Sequence, residues 1–149
     1  MIDYDKKPSG YFNNARIEML KYLPADAKRV LDVGCGNGVL AEIIKKQNNA
    51  EVWGIELMES EALEAKNKLD KVFVGPCENF INNLPNDYFD VIYFNDVLEH
   101  LVDPYTVLEQ IKSKLSTTGI IISSIPNVRF YRTFHKVVFG KDWKYDEFG

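Results

Sequence analysis

The stretch RVLDVGCGNGVLAEII, residues 29–44, decides the fold. Its opening RVLDV is a nearly continuous apolar run, the mark of a strand buried on both faces. Val39, Leu40, Ile43 and Ile44 then share one helical face. Between strand and helix stand Gly34, Gly36 and Gly38, which let the backbone take positive φ and approach a ligand closely. Asp32 sits just ahead of that turn. A phosphate-binding loop needs a lysine and a hydroxyl after its last glycine, where this chain has Val39 and Leu40. A dinucleotide turn spaces its glycines G-x-G-x-x-G; here the spacing is G-x-G-x-G, and Asp32 would repel a pyrophosphate. A ligand with positive charge and no phosphate suits the acid.

The same rhythm extends along the chain. EVWGI (51–55) leads into MESEALEAKNKL, with Ala62, Leu63 and Leu69 as the expected buried positions. KVFVG (71–75) is a short third strand and FDVIYF (89–94) a fourth. DPYTVLEQIKSKL follows as a helix capped by Asp103 and opened by Pro104, and GIIISSI (119–125) is the fifth strand. Apolar strands alternating with helices imply an α/β fold, a parallel sheet covered on both faces. Right-handed crossovers then line up the strand C-termini along one edge, where ligands bind. A helix over residues 10–22 is expected to lean over that edge, and another covers 128–139.

The length of 149 residues suits one domain: a helical cap (1–27), a core (28–125), and a helix with an aromatic tail (126–149). Trp143, Tyr145 and Phe148 have no following element to pack against, at roughly 1.5–3 kcal/mol for each large side chain left exposed. The chain is therefore expected to continue beyond Gly149, or to pack this segment on a second copy as a homodimer. A composition of 46% hydrophobic and 27% charged residues is that of a globular protein. The net charge of -4 argues against a nucleic-acid partner. Cys35 and Cys77 form neither a disulfide framework nor a paired metal-ligand spacing, and MIDYDKKPSG is too charged for a secretory leader. No run reaches membrane-spanning length, so a cytoplasmic location is expected.

VLDVGCGNG (30–38) resembles the first motif of the class I SAM-dependent methyltransferases, and the likeness runs over nearly the whole chain. It implies a Rossmann-like, doubly wound sheet of five parallel strands in the order 3-2-1-4-5, without the last two strands of the family. It further implies methyl transfer from S-adenosyl-L-methionine (SAM) to a small-molecule acceptor such as a hydroxylated metabolite or a sugar, leaving S-adenosyl-L-homocysteine (SAH). SAM carries an ammonium and a sulfonium, which matches Asp32. Two other readings compete: a SAM-binding module without catalysis, and a nicotinamide-dependent oxidoreductase, which Asp32 and Val39 disfavour.

On the family reading, Asp32 and the turn Gly34, Cys35, Gly36, Asn37 and Gly38 seat the methionine portion. Glu56, ending the second strand, accepts two ribose hydroxyls, although it could also be an exposed acid beside Glu59, Glu61 and Glu64. Leu57 lies against the adenine. Pro76 stands where the family often has an acid for the adenine amine. That leaves the Cys77 N–H and Glu78 as candidates, Glu78 equally reading as a surface acid. FNDVLEHLVDP (94–104) resembles the ubiquinone-pathway O-methyltransferases and the glycosyltransferase-associated methyltransferases. There Asn95 approaches the methionine, while Asp96, Glu99 and His100 face the methyl group. His100 reads as a general base, as a metal ligand with Glu99, or as a histidine pinning the loop. NNAR (13–16) makes Arg16 a grip for the methionine carboxylate or a residue on a solvated helix face. Tyr4 and Tyr11 close the pocket from that side, and Asn127 touches substrate or caps the next helix.

Overall fold

The computed structural model describes residues 16–127. The chain divides into two compact units, residues 15–125 and residues 1–14 with 126–149. The expected helix over 128–139, the aromatic tail, Tyr4, Tyr11 and the first part of the helix over 10–22 lie outside the described residues. Within them that helix is a 3₁₀ segment, Ile17–Tyr22.

The first unit contains a five-stranded sheet in the order β3-β2-β1-β4-β5. Its strands are β1 (Arg29–Val33), β2 (Glu51–Glu56), β3 (Lys71–Val74), β4 (Phe89–Asn95) and β5 (Leu115–Ser124). Every pairing is parallel, so all five C-termini fall on one edge, as the doubly wound reading requires. Helices α1 (Val39–Asn48), α2 (Glu59–Ala65) and α3 (Pro104–Ile111) make the principal crossovers.

The apolar strands alternate between two cores, one on each face of the sheet. Val30, Val52, Val91 and Tyr93 pack with Met19, Leu40, Ala41, Ile44 and Leu69. Leu31, Val33, Ile92 and Phe94 pack with Ile81, Phe89, Val107 and Ile111. Because successive side chains point to opposite faces, a strand that serves both cores must be apolar throughout. β1 is therefore central, and the turn that follows it starts from a rigid base.

Local signals set the helix ends. Asp103 accepts a hydrogen bond from Thr106 N at 3.0 Å, with Pro104 at the first helical position of α3. Asn49 ends α1 in the left-handed region at φ 48°, its N–H donating to Lys45 O. Asn48, buried beside it, donates through Nδ2 to Pro24 O at 2.9 Å and Ala27 O at 3.3 Å, tying α1 to the chain entering β1.

Three details differ from the sequence expectation. Leu63 is 55% exposed, and Ala65 takes the buried position instead. Ala65 lies three residues after Ala62 and shares its face, whereas Leu63 is turned about 100° away. β5 begins at Leu115, four residues before its apolar run, because Leu115 pairs with Phe89 ahead of a register shift. β4 runs one residue further, to Asn95, while β2 ends at Glu56 as expected, which sets both polar side chains at the C-terminal edge of the sheet. Among the described residues no helix is long and apolar enough to cross a membrane.

Gly54 in the middle of β2 has a steric reason. A Cβ there would lie 2.6 Å from Cys35 Sγ and 2.8 Å from Leu69 Cδ2. The strand thus leaves room for the turn after β1. Gly54→Ala is expected to lower stability by about 1–3 kcal/mol, the usual cost of overpacking a filled core. Urea unfolding reads this directly, and an unchanged midpoint would contradict it.

Candidate functional site

The exits of β1, β2 and β4 converge on the turn Gly34–Gly38. Gly34, Gly36 and Gly38 all take positive φ, at 75°, 53° and 79°. A Cβ on Gly34 would stand 2.4 Å from Val97 Cγ2, so the turn also packs closely on the loop leaving β4. The N–H groups of Gly34 and Cys35 both donate to Ile55 O, at 2.8 and 3.2 Å. Lys68 Nζ donates to Asn37 O at 2.6 Å and holds the far side of the turn.

Glu56 completes this arrangement. Its Oε2 accepts from Gly36 N at 2.8 Å and its Oε1 from Met58 N at 2.9 Å. Each carboxylate oxygen has a second acceptor site, so two further donors can be met without breaking either bond. Glu56 is 6% exposed, which removes the reading of a solvated surface acid. Leu57 beside it is 50% exposed, an apolar side chain on the site's rim. Gly75 N donates to Glu56 O at 2.8 Å, bringing the exit of β3 to the same place. There Cys77 is buried in a short 3₁₀ turn, while Glu78 is exposed and accepts from Cys77 Sγ at 3.4 Å.

Asp32 lies beneath the turn and is 3% exposed. No donor or ion pair reaches its carboxylate among the described residues. Burial, and next the negative charge of Glu56, push its pKa from 3.8 up to about 7. Burial also raises the Cys35 thiol, with Asp32 and Glu56 adding to the effect, and lifts Cys77 to about 12. Both cysteines are therefore protonated packing groups and not nucleophiles. Two acids beside each other, neither in an ion pair among the described residues, form a pocket of negative potential.

The β4 exit carries the remaining candidates. Asn95 ends the strand with both Nδ2 and Oδ1 buried and without a partner among the described residues. Asp96 takes φ 55°, uncommon for a residue other than glycine. Arg16 Nε donates to Asp96 Oδ2 at 2.6 Å and Nη2 pairs with the same oxygen. Arg16 is thus joined to the β4 exit while its side chain stays 40% exposed. Glu99 and His100 follow on a 3₁₀ turn, Leu98–His100, with Oε1 and Nε2 3.9 Å apart. The tighter turn brings these adjacent side chains together, though no hydrogen bond or ion pair among the described residues links them to the glycine turn. Among the described residues no group of three or more His, Cys, Asp or Glu could hold a metal ion. Ser124, which donates to Asp96 Oδ1 at 2.9 Å, was not among the expected site residues.

The comparisons with known proteins agree with this geometry. Residues 8–148 match the profile of a family described as Methyltransferase domain. The chain is 32% identical over 154 residues to the ubiquinone biosynthesis O-methyltransferase of Histophilus somni, covering 93% of this chain and 62% of that protein. It is 31% identical to the enzyme of the same name from Pasteurella multocida, covering 93% and 63%. A SAM-dependent methyltransferase structure from Archaeoglobus fulgidus aligns with a TM-score of 0.69 at 25% identity, over 78% of this chain and 53% of that one. The chain belongs to the methyltransferase-domain family and has its class I, Rossmann-like fold. It spans a little over three-fifths of the length of these curated relatives, 62% and 63%.

Asp32 makes stability depend on pH with a definite sign. Its folded-state pKa of about 7 exceeds the ordinary 3.8, so the folded chain binds a proton that the unfolded chain releases. Its contribution is most favourable below pH 3.8 and declines as pH rises to about 7, by up to ~1.4 kcal/mol per pH unit. Asp32→Asn removes this loss. Its urea midpoint is expected to exceed that of the parent at pH 8 and to approach it near pH 4. Equal midpoints at pH 8 would contradict the assignment.

Proposed function

We propose that this chain binds SAM at the C-terminal edge of the sheet and transfers its methyl group to a hydroxylated small molecule. The observation that carries the reading is Asp32, a buried carboxylate without a partner among the described residues, under a glycine turn braced by a second acid. Such a pocket stabilises a cationic ligand and repels a phosphate. The acceptor class draws support from the curated relatives, which are named as O-methyltransferases.

The residues fit the cofactor part by part. Asp32 faces the positive charge of the methionine portion, and the backbone of Gly34, Cys35, Gly36, Asn37 and Gly38 forms the wall behind it. Glu56 offers its two spare acceptor sites to the ribose hydroxyls, and Leu57 provides an apolar surface for the adenine. The Cys77 N–H and the exposed Glu78 suit the ring and its amine. Asn95 supplies the amide that lacks a partner, and Arg16 meets the methionine carboxylate.

Bound there, SAM would supply a methyl group on a sulfonium, the acceptor oxygen forming the new O–C bond in line as the C–S bond breaks and SAH departs. Most of the chain's contribution is positioning, because holding two reactants in an attack geometry can remove about 7–11 kcal/mol of barrier. His100 takes the acceptor proton.

Binding should couple to the proton on Asp32. A cationic ligand favours the ionised carboxylate, so below pH ~7 the proton must leave, and affinity falls by up to about tenfold per pH unit. Calorimetry with SAH between pH 5.5 and 8 is expected to show tightening that levels off above about 7, a slope that Asp32→Asn flattens. Glu56→Ala, which removes the ribose acceptors and the brace on Gly36, is expected to weaken SAH by more than about tenfold at pH 7.5. Absence of binding to the folded parent chain would overturn the proposal. Binding without SAH production from SAM across a panel of hydroxylated acceptors would reduce the chain to a binding module.

A further inference from the structure

Asp96 occupies an unfavourable backbone conformation that three other groups enforce. Its φ of 55° lies in the left-handed region, where a residue other than glycine is uncommon and strained. Its N–H donates to Ser124 O at 3.0 Å, fixing the β4 exit to the end of β5. Ser124 Oγ donates to Asp96 Oδ1 at 2.9 Å, and Arg16 engages Oδ2 through Nε at 2.6 Å and through Nη2. Both carboxylate oxygens are therefore committed, so Asp96 does not present a free base.

Stability is a weak reason to keep this arrangement. The Arg16 and Asp96 side chains are 40% and 27% exposed, and an ion pair so open to water contributes little to stability. That gain is roughly cancelled by the backbone strain. What the network provides is a fixed guanidinium. Arg16 spends Nε and one hydrogen of Nη2 on Asp96, and one hydrogen of Nη1 on Glu18 at 3.3 Å. One hydrogen on each terminal nitrogen remains, enough for a second carboxylate. The unpartnered Asn95 amide lies one residue away, so the same strand end carries unmet polar groups.

We infer that Asp96 is a positioning residue: through its ion pair it holds the Arg16 guanidinium so that the remaining donors meet the α-carboxylate of the cofactor's amino-acid portion. This rests on the reading of Arg16 in the proposed function. Locking a long side chain before binding lowers the ordering cost when the ligand arrives. Ser124 fixes Asp96 in turn, so selectivity for a ligand with a carboxylate is set partly by a residue that does not touch it.

The test compares SAH with 5′-S-(3-aminopropyl)-5′-thioadenosine, which differs from it only by lacking the carboxylate. Dissociation constants are measured by calorimetry on the full chain. The parent is expected to prefer SAH, and Arg16→Ala to remove most of that preference. Asp96→Asn should cut the preference by about tenfold through weaker SAH binding, with the amine changed by less than about twofold. In an Arg16→Ala background Asp96→Asn should have no further effect on the preference, the coupling that distinguishes action through Arg16 from independent contact. Equal weakening of both ligands, or an unchanged preference, would overturn the inference. If Asp96→Asn does not fold, Ser124→Ala should shift the preference in the same direction, and its failure to do so is equally decisive. If the folded parent binds neither ligand, the cofactor reading falls and this inference with it; binding of both with equal affinity defeats the Arg16 assignment alone.

Discussion

Glu56 accepts one backbone N–H on each carboxylate oxygen, from Gly36 and from Met58, and these two bonds join the exits of β1 and β2. Much of the site depends on this bridge. It holds the glycine turn at the sheet edge, aims the loop carrying Leu57 outward, and sets the second negative charge beside Asp32. The sheet makes it possible, because Asp32 pairs in register with Gly54 and Val33 with Ile55. The two acids thus emerge from adjacent strands. Gly54 keeps the same neighbourhood open for Cys35.

Asp32, a buried acid with no partner among the described residues, is costly to fold, and its raised pKa is the physical record of that cost. The loss is the kind expected where stability is given up for binding. A cation seated against Asp32 would reverse it, and ligand binding would then stabilise the fold by mass action. The same logic holds at a smaller scale at the β4 exit. There a strained Asp96 and an unpartnered Asn95 sit on either side of one peptide bond. These unfavourable features are concentrated at one edge of an otherwise well-packed sheet, the edge to which the proposed function assigns the cofactor.

Much of the fold was legible because central strands of a doubly wound sheet must be apolar on both faces. RVLDV, EVWGI and FDVIYF announce themselves for that reason, and three glycines after one of them place the turn. The start of β5 was hidden because STTG, residues 116–119, is polar and enters the strand across a register shift. Leu63 misled because hydrophobicity alone does not say which face of a short helix meets the sheet. In the site, the position of Glu56 followed from its place at a strand end, but its bonds to Gly36 and Met58 did not. The link between Arg16, Asp96 and Ser124 joins residues 80 and 28 positions apart, a distance no periodicity encodes. The one available hint was an Asn-Asp pair at a strand exit, since both residue types tolerate the left-handed region.

A crystal structure of the chain with SAH tests the central claim most directly. The account predicts the ribose hydroxyls within hydrogen-bond distance of both Glu56 oxygens, with the ammonium end of the amino-acid portion over the Asp32 side of the glycine turn. A ligand seated elsewhere, or with its ribose turned away from Glu56, would contradict it.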